Sequence, residues 1–313
     1  RSSPLFLVIM SNPKYHCVLC LLGIPTQITA QEIAITFDDA PRKDGGLYTG
    51  LKRSEILLEK LQQYNVPQVA FFANSGKLDA VGELRLKMYG QAGHVIANHS
   101  HSHPHIHDVG VDNYISDIKK AHQALKDMPG FKPWFRFPFL DEGKDEESRD
   151  RIRAALKEMG YINGYVTVDN YDWYLEFMYQ QALKENNKID YDLLKDLYIE
   201  HIWESIQFYH NIAIKTLGRS PKHVLLLHEN DLAALFLDDL ISFLRGEGWL
   251  IISPTEAYAD PIASHIPDVL MNNQGRVAAI AREKGTTGRD LVQESEDEQF
   301  LEEYFAKKKV FRK

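Results

Sequence analysis

Ile33-Ala34-Ile35-Thr36-Phe37-Asp38-Asp39-Ala40-Pro41 is an apolar run that stops at two adjacent carboxylates, and it reads as a buried strand ending in chemistry. Neighbouring aspartates repel when both are ionised, so the pair is costly unless a cation neutralises one and leaves the other to handle protons. A metal site with a general base beside it follows. An ordinary Asp-Asp-Ala-Pro turn after a strand is the plainer alternative, since both residue types are common there. The surrounding sequence has to decide between them.

Around this stretch the chain has 313 residues, 44% hydrophobic and 26% charged, which is globular composition. One α/β domain of about 230 to 250 residues with extensions fits that length. A formal charge of −8 and no basic cluster argue against nucleic acid as a partner. The two cysteines, Cys17 and Cys20, both lie in the N-terminal apolar stretch, so the main body carries neither a disulfide framework nor a thiolate metal site. Any metal there must use His, Asp or Glu. The Cys-x-x-Cys spacing has no βαβ pattern before it and reads as chance. Lys14, the apolar 17–24 and the small residues of 26–30 follow the layout of a secretory signal peptide. Residues 1–30 are therefore assigned to a signal peptide or N-terminal apolar segment, and an exported protein, periplasmic or secreted, is expected. The apolar core is too short for a stable membrane span.

Beyond the first strand, helical spacing over 51–64 is followed by an apolar strand over 68–73, and the alternation continues. Helices are predicted at 79–91, 112–128, 146–159 and 232–245, and strands at 94–98, 131–137, 161–168, 222–227 and 249–253. Strands separated by helices call for parallel strands with right-handed crossovers, as in a barrel or a doubly wound sheet. The domain is placed at 31–260. Within it the connection from Trp173 to Pro221 is far longer than one crossover helix requires. A helical insertion at about 174–221, either a lid or a plain surface hairpin, accounts for it. Residues 261–313 read as a charged, mobile-looking C-terminal extension without chemistry, with a docking helix at 300–305.

The chemically capable residues collect just after the strands. Asp38 and Asp39 end the first, His99 and His103 follow the third, Arg136 ends the fourth, Asp169 and Asp172 follow the fifth, and His228 ends the sixth. If the strands are parallel, these residues converge on one mouth, where α/β barrels build their sites. In His99-Ser100-His101-Ser102-His103 the outer pair would share a face of a helical turn and bind one metal, with Asp39 as third ligand. Two imidazoles and one carboxylate with open positions suit a catalytic divalent metal. His101, His105 and His107 read as polar-loop residues or adventitious metal binders. Arg136 among aromatics needs a carboxylate partner, and Asp38 is the obvious one. His228, closing an apolar strand, would suit a general acid held by Asp172; a structural histidine is the bland alternative.

This set resembles the polysaccharide deacetylases of carbohydrate esterase family 4, the NodB-homology family, over about residues 32–258. Five blocks stand in the family's order: Thr36 to Asp39, Asn98 to His103, Arg136 to Phe139, Asp169 to Trp173, and Leu225 to His228. The resemblance implies a distorted (β/α) barrel of about seven parallel strands. It implies that Asp39, His99 and His103 bind a divalent metal, zinc first, with cobalt, manganese or nickel as alternatives. It makes Asp38 the base, Arg136 its partner, His228 the acid and Asp172 the residue that orients it. Phe139, through its backbone N–H, Trp173 and Leu226 would contact substrate. The sequence departs from the family at Ala40, where glycine is usual, at Phe139, often Tyr, and at Leu140 to Gly143, which lacks an immediate glycine. The implied activity is metal-dependent removal of N-acetyl groups from amino-sugar polymers or oligomers of the chitin or peptidoglycan type. O-deacetylation of acetylxylan or another acyl hydrolysis would use the same residues, and a carbohydrate-binding barrel without turnover is the reading from another class. The acetylated carbohydrate is the one partner implied; the sequence is silent on oligomeric state.

Overall fold

A computed structural model describes residues 30–270 and 272–313. The expected signal peptide and the Cys17–Cys20 pair lie outside the described residues, save Ala30. The opening stretch forms strand β1 (Glu32–Ala40), whose Ile33, Ala34, Ile35 and Phe37 are wholly buried. Apolar residues pointing both ways along a strand require cover on both faces, the condition of a parallel sheet wrapped by helices.

The other strands are β2 (Ala70–Ala73), β3 (Val95–Asn98), β4 (Phe131–Phe135), β5 (Ile162–Asn163), β6 (Lys188–Ile189), β7 (His223–His228), β8 (Leu250–Ile251) and β9 (Phe311–Arg312). Between them run helices α1 (Gly50–Gln63), α2 (Ala80–Gln91), α3 (Ile106–Val109), α4 (Val111–Leu125), α5 (Glu146–Glu158), α6 (Asp172–Lys184), α7 (Tyr191–Leu217), α8 (Asp231–Gly246) and α9 (Pro254–Ala257). α10 (Arg276–Glu283) and α11 (Glu298–Lys308) follow. Helix starts are marked by side chains that satisfy the free N–H groups of the first turn. Thr49, Asp79, Asp145, Asp190, Asn230 and Asp297 each accept from a backbone N–H two or three residues into the helix.

The seven-stranded sheet runs β5-β4-β3-β2-β1-β7, with β8 on the other edge of β1, and every pairing in it is parallel. It curls until the segment after β5 meets β7, where Val168 bridges Leu225. This is the expected distorted (β/α) barrel. Between the sheet and α2, Phe71 stacks on Tyr89 with ring centroids 3.7 Å apart and on Phe37 at 5.2 Å. Each such buried side chain contributes about 1.5–3 kcal/mol relative to exposure.

Three expectations are corrected. The strand predicted over 161–168 pairs with β4 for two residues only and then crosses to β7. The break falls at Gly164, where the backbone passes so close to the Phe72 ring that a Cβ would fall 2.4 Å from it. Residues 99–103 are not a turn of helix; Ser100 and His103 instead hold left-handed backbone, at φ 70° and 57°. The segment 261–313, read as a mobile tail, buries Val277, Ile280, Leu291, Leu301, Phe305 and Val310. α10 packs on α7, and β9 pairs antiparallel with β6 of the insertion. No helix among the described residues is long and apolar enough to cross a membrane.

Candidate active site

In a regular strand, consecutive side chains point to opposite faces, so Asp38 and Asp39 should part company. They do not, because the register with β2 slips between Phe37 and Ala40 and Asp39 takes a left-handed φ of 67°. Such a conformation is costly for a non-glycine residue and persists where the surroundings enforce it. Both carboxylates thereby line one cleft of about 750 Å³ at the C-terminal end of the strands.

Opposite Asp39 stand His99, just past β3, and His103. Ligand atoms of Asp39, His99 and His103 all lie within 4.8 Å of one another, and His103 Nε2 is 3.6 Å from Asp39 Oδ1. His99 Nδ1 lies 2.9 Å from the Arg136 carbonyl, which accepts the ring N–H there and leaves Nε2 with a free lone pair. Burial lowers His99 to about 4 and His103 to about 3, so both rings are neutral at pH 7. Burial opposes ionisation of Asp39, but the Lys77 ammonium first, with His228 behind it, holds its carboxyl well below the ordinary range. Asp39 Oδ1 is shielded from water yet has no hydrogen-bond partner. An orphaned anionic oxygen facing two neutral imidazoles fits a divalent cation.

Asp38 is buried next to this group. Its Oδ1 accepts from Arg136 Nη1 at 2.6 Å, and its Oδ2 lies 3.7 Å from His99 Nε2. Arg136 is held in turn by Thr36 Oγ1, the Gly164 carbonyl and Tyr258 Oη, with its guanidinium 3.8 Å over the Phe72 ring. Burial raises the Asp38 carboxyl, and Arg136 and His228 only partly offset that. β7 brings His228 into register with Asp38. Asp172, the first residue of α6, sits 2.7 Å from His228 Nδ1 through Oδ1 and accepts the His228 backbone N–H at 2.8 Å through Oδ2. Burial would lower His228, but the charge and hydrogen bond of Asp172, with Asp39 and Asp38 beyond, raise it above its usual value. One imidazole nitrogen is thus fixed on a carboxylate while the other serves the cleft.

The walls are apolar. Leu226 lies at the base, and Phe139 and Trp173 stand at the rim, 41% and 36% exposed. Phe139 and Leu140 both hold left-handed backbone, φ 57° and 50°, in the loop that lacks the usual glycine. The structure therefore gathers Asp38, Asp39, His99, His103, Arg136, Phe139, Asp172, Trp173, Leu226 and His228 around a single cleft.

Sequence reading missed several neighbours. Arg42 and Lys77 lie 3.3 and 3.4 Å from Asp39, Phe177 lines the cleft one helical turn after Trp173, and Asn273 reaches it from the C-terminal segment. The Trp173–Phe177 spacing along a helix could have been read; nothing in the sequence marks Lys77 or Asn273.

Residues 27–164 match the polysaccharide deacetylase family. Over 144 residues the chain is 31% identical to a peptidoglycan-N-acetylglucosamine deacetylase of Bacillus cereus, a match covering 45% of this chain and 46% of that protein. Over 131 residues it is 28% identical to chitin deacetylase 1 of Cryptococcus neoformans, covering 38% and 26%. The chain thus spans less than half the length of either curated relative. In three dimensions it resembles the polysaccharide deacetylase of Bacillus cereus, with a TM-score of 0.50 and 18% identity over 71% of this chain and 91% of that one.

Proposed function

We propose, from the match of residues 27–164 to the polysaccharide deacetylase family, that this chain is a metal-dependent hydrolase that removes N-acetyl groups from amino-sugar polymers or oligomers of the peptidoglycan or chitin type. The observation that carries the reading is the pairing across one cleft of an Arg136-held carboxylate with an Asp172-held imidazole, beside three converging metal-ligand side chains. One curated relative is named for peptidoglycan N-acetylglucosamine and the other for chitin, which favours an amide over an ester.

Asp39, His99 and His103 would hold the cation, zinc first among the candidates. Bound there, a divalent metal supplies a Lewis acid that lowers the pKa of water and polarises an acyl carbonyl. Asp38 takes the proton from the attacking water. Its raised pKa suits that task, since a base works best with a pKa near the working pH. Arg136 keeps the carboxylate oriented and charged in an otherwise apolar surrounding. The Phe139 N–H steadies the developing oxyanion. His228 gives its proton to the departing amine, with Asp172 stabilising the imidazolium and fixing the ring. Trp173, Phe139 and Leu226 present flat apolar surface to the sugar. An exported location, expected from residues 10–30, would give access to a polymeric substrate.

Acetate release is to be measured on acetylated chitin oligomers, peptidoglycan and acetylxylan, with and without chelator. Release from the amino-sugar substrates, lost on chelation and restored by zinc, is the expected result. Asp38→Asn should retain the metal by elemental analysis and lose turnover. Release confined to acetylxylan would make the chain an O-deacetylase, and no release with metal bound would make it a binding barrel.

A further inference from the structure

A second group of metal-ligand side chains lies outside the site just described. His105, His107 and Asp141 each offer a ligand atom, all within 4.8 Å of one another. From these residues we propose that the chain binds a second divalent transition metal ion at the rim of the cleft, with His105, His107 and Asp141 as its ligands.

The distances suit such an ion. Bonds of 2.0–2.1 Å at tetrahedral angles place donor atoms about 3.4 Å apart. His105 Nδ1 and His107 Nδ1 stand 3.3 and 3.9 Å from the same oxygen, Asp141 Oδ2. The partners behind the ligands are also in place. Asp141 is buried, and its other oxygen, Oδ1, accepts the Gly143 N–H at 2.8 Å, which turns Oδ2 toward the imidazoles. His107 sets its far nitrogen, Nε2, 3.4 Å from Asp108. A carboxylate behind a ligating imidazole is the usual way of fixing its tautomer and ring orientation. Among the described residues the ion-pair partners of Asp141 are these two histidines alone. Two imidazole donors beside the carboxylate favour zinc, nickel, cobalt or copper over magnesium and calcium.

The two groups are distinct. The Phe139 ring stands between them, stacked on His105 at 3.7 Å and edge-on to His103 at 4.4 Å. An ion on the outer group would therefore cross-link residues 105–107 to the loop carrying Phe139 and Asp141. The inference holds whether or not the chain is a deacetylase, because it concerns binding stoichiometry alone.

The test is elemental analysis and calorimetric titration of the metal-stripped full chain with zinc, and with cobalt for its absorption bands. Two equivalents are expected for the unaltered chain, one for His107→Ala, one for His99→Ala and none for the double variant. His107 is on the surface, so its replacement leaves the fold intact, as circular dichroism would verify. Asp108→Asn, which keeps all three ligands, should weaken only the second equivalent, by about 10- to 100-fold. A single equivalent in the unaltered chain, abolished by His99→Ala and untouched by His107→Ala, would overturn the second site. So would two equivalents that survive His107→Ala unchanged.

Discussion

Arg136 is fully withdrawn from water, yet each nitrogen of its guanidinium has a partner, and one of those partners is Asp38, the carboxylate proposed as base. Removing its charge favours protonated Asp38, so a more alkaline solution is needed to empty that carboxylate. Arg136→Gln should move the acid limb of the kcat/KM profile upward by about 1–3 pH units. A limb that stays in place would deny Asp38 the role of base. At His228 the sense is reversed. Asp172 raises the imidazole, so Asp172→Asn lowers it, and the protonated acid is lost at lower pH. The alkaline limb should shift downward, with kcat at pH 7 reduced by about 10²–10⁴-fold. An unchanged alkaline limb would separate His228 from proton donation.

The strand that places both aspartates also shows where sequence reading stops. β1, the helices after it and the convergence at strand ends were legible because burial imposes periodicity on residue type. The slip that turns Asp39 toward the cleft was not, since a left-handed aspartate has no sequence mark; the surrounding contacts force it. The same holds for His99–His103, where the two imidazoles approach Asp39 through left-handed backbone and not through the expected turn of helix. Gly164 stands where the fifth strand breaks off. Its missing Cβ admits Phe72, on whose ring the Arg136 guanidinium rests, and its carbonyl accepts Arg136 Nε. Gly164→Ala should cost about 1–3 kcal/mol through overpacking, read as a lower urea midpoint, and should depress kcat through the displaced guanidinium. An unaltered midpoint would show that the barrel yields at this point. The packed C-terminal segment escaped notice because its buried residues are spread among many polar ones.

At the scale of the whole molecule, burial of titratable groups couples stability to pH in two opposed ways. Burial lowers His94 and His201 to about 4 and His223 to about 3. Below about pH 6.5 the unfolded chain binds protons that these folded histidines refuse, so stability falls as the solution is acidified toward 4. Glu296, from the C-terminal segment, is buried against Tyr209 and raised to about 7, and burial and Glu296 push Asp169 well above the carboxylate range. These acids keep protons that the unfolded chain has released, so stability is lost as pH climbs from about 4.5 through 7. Glu296→Gln should gain thermal midpoint over the unaltered chain at pH 8 and little near pH 4; equal differences at both would remove the buried-acid account. The topology carries a further cost, in time. β1 is an inner strand, and one edge of it is completed by β7, with Thr36 donating to the Leu225 carbonyl across 189 residues. At about 5–20 residues per second of synthesis, that edge waits roughly ten to forty seconds on the ribosome, an open apolar template for any other strand nearby. The nascent chain, more than the finished fold, is the form of this protein that most needs a chaperone.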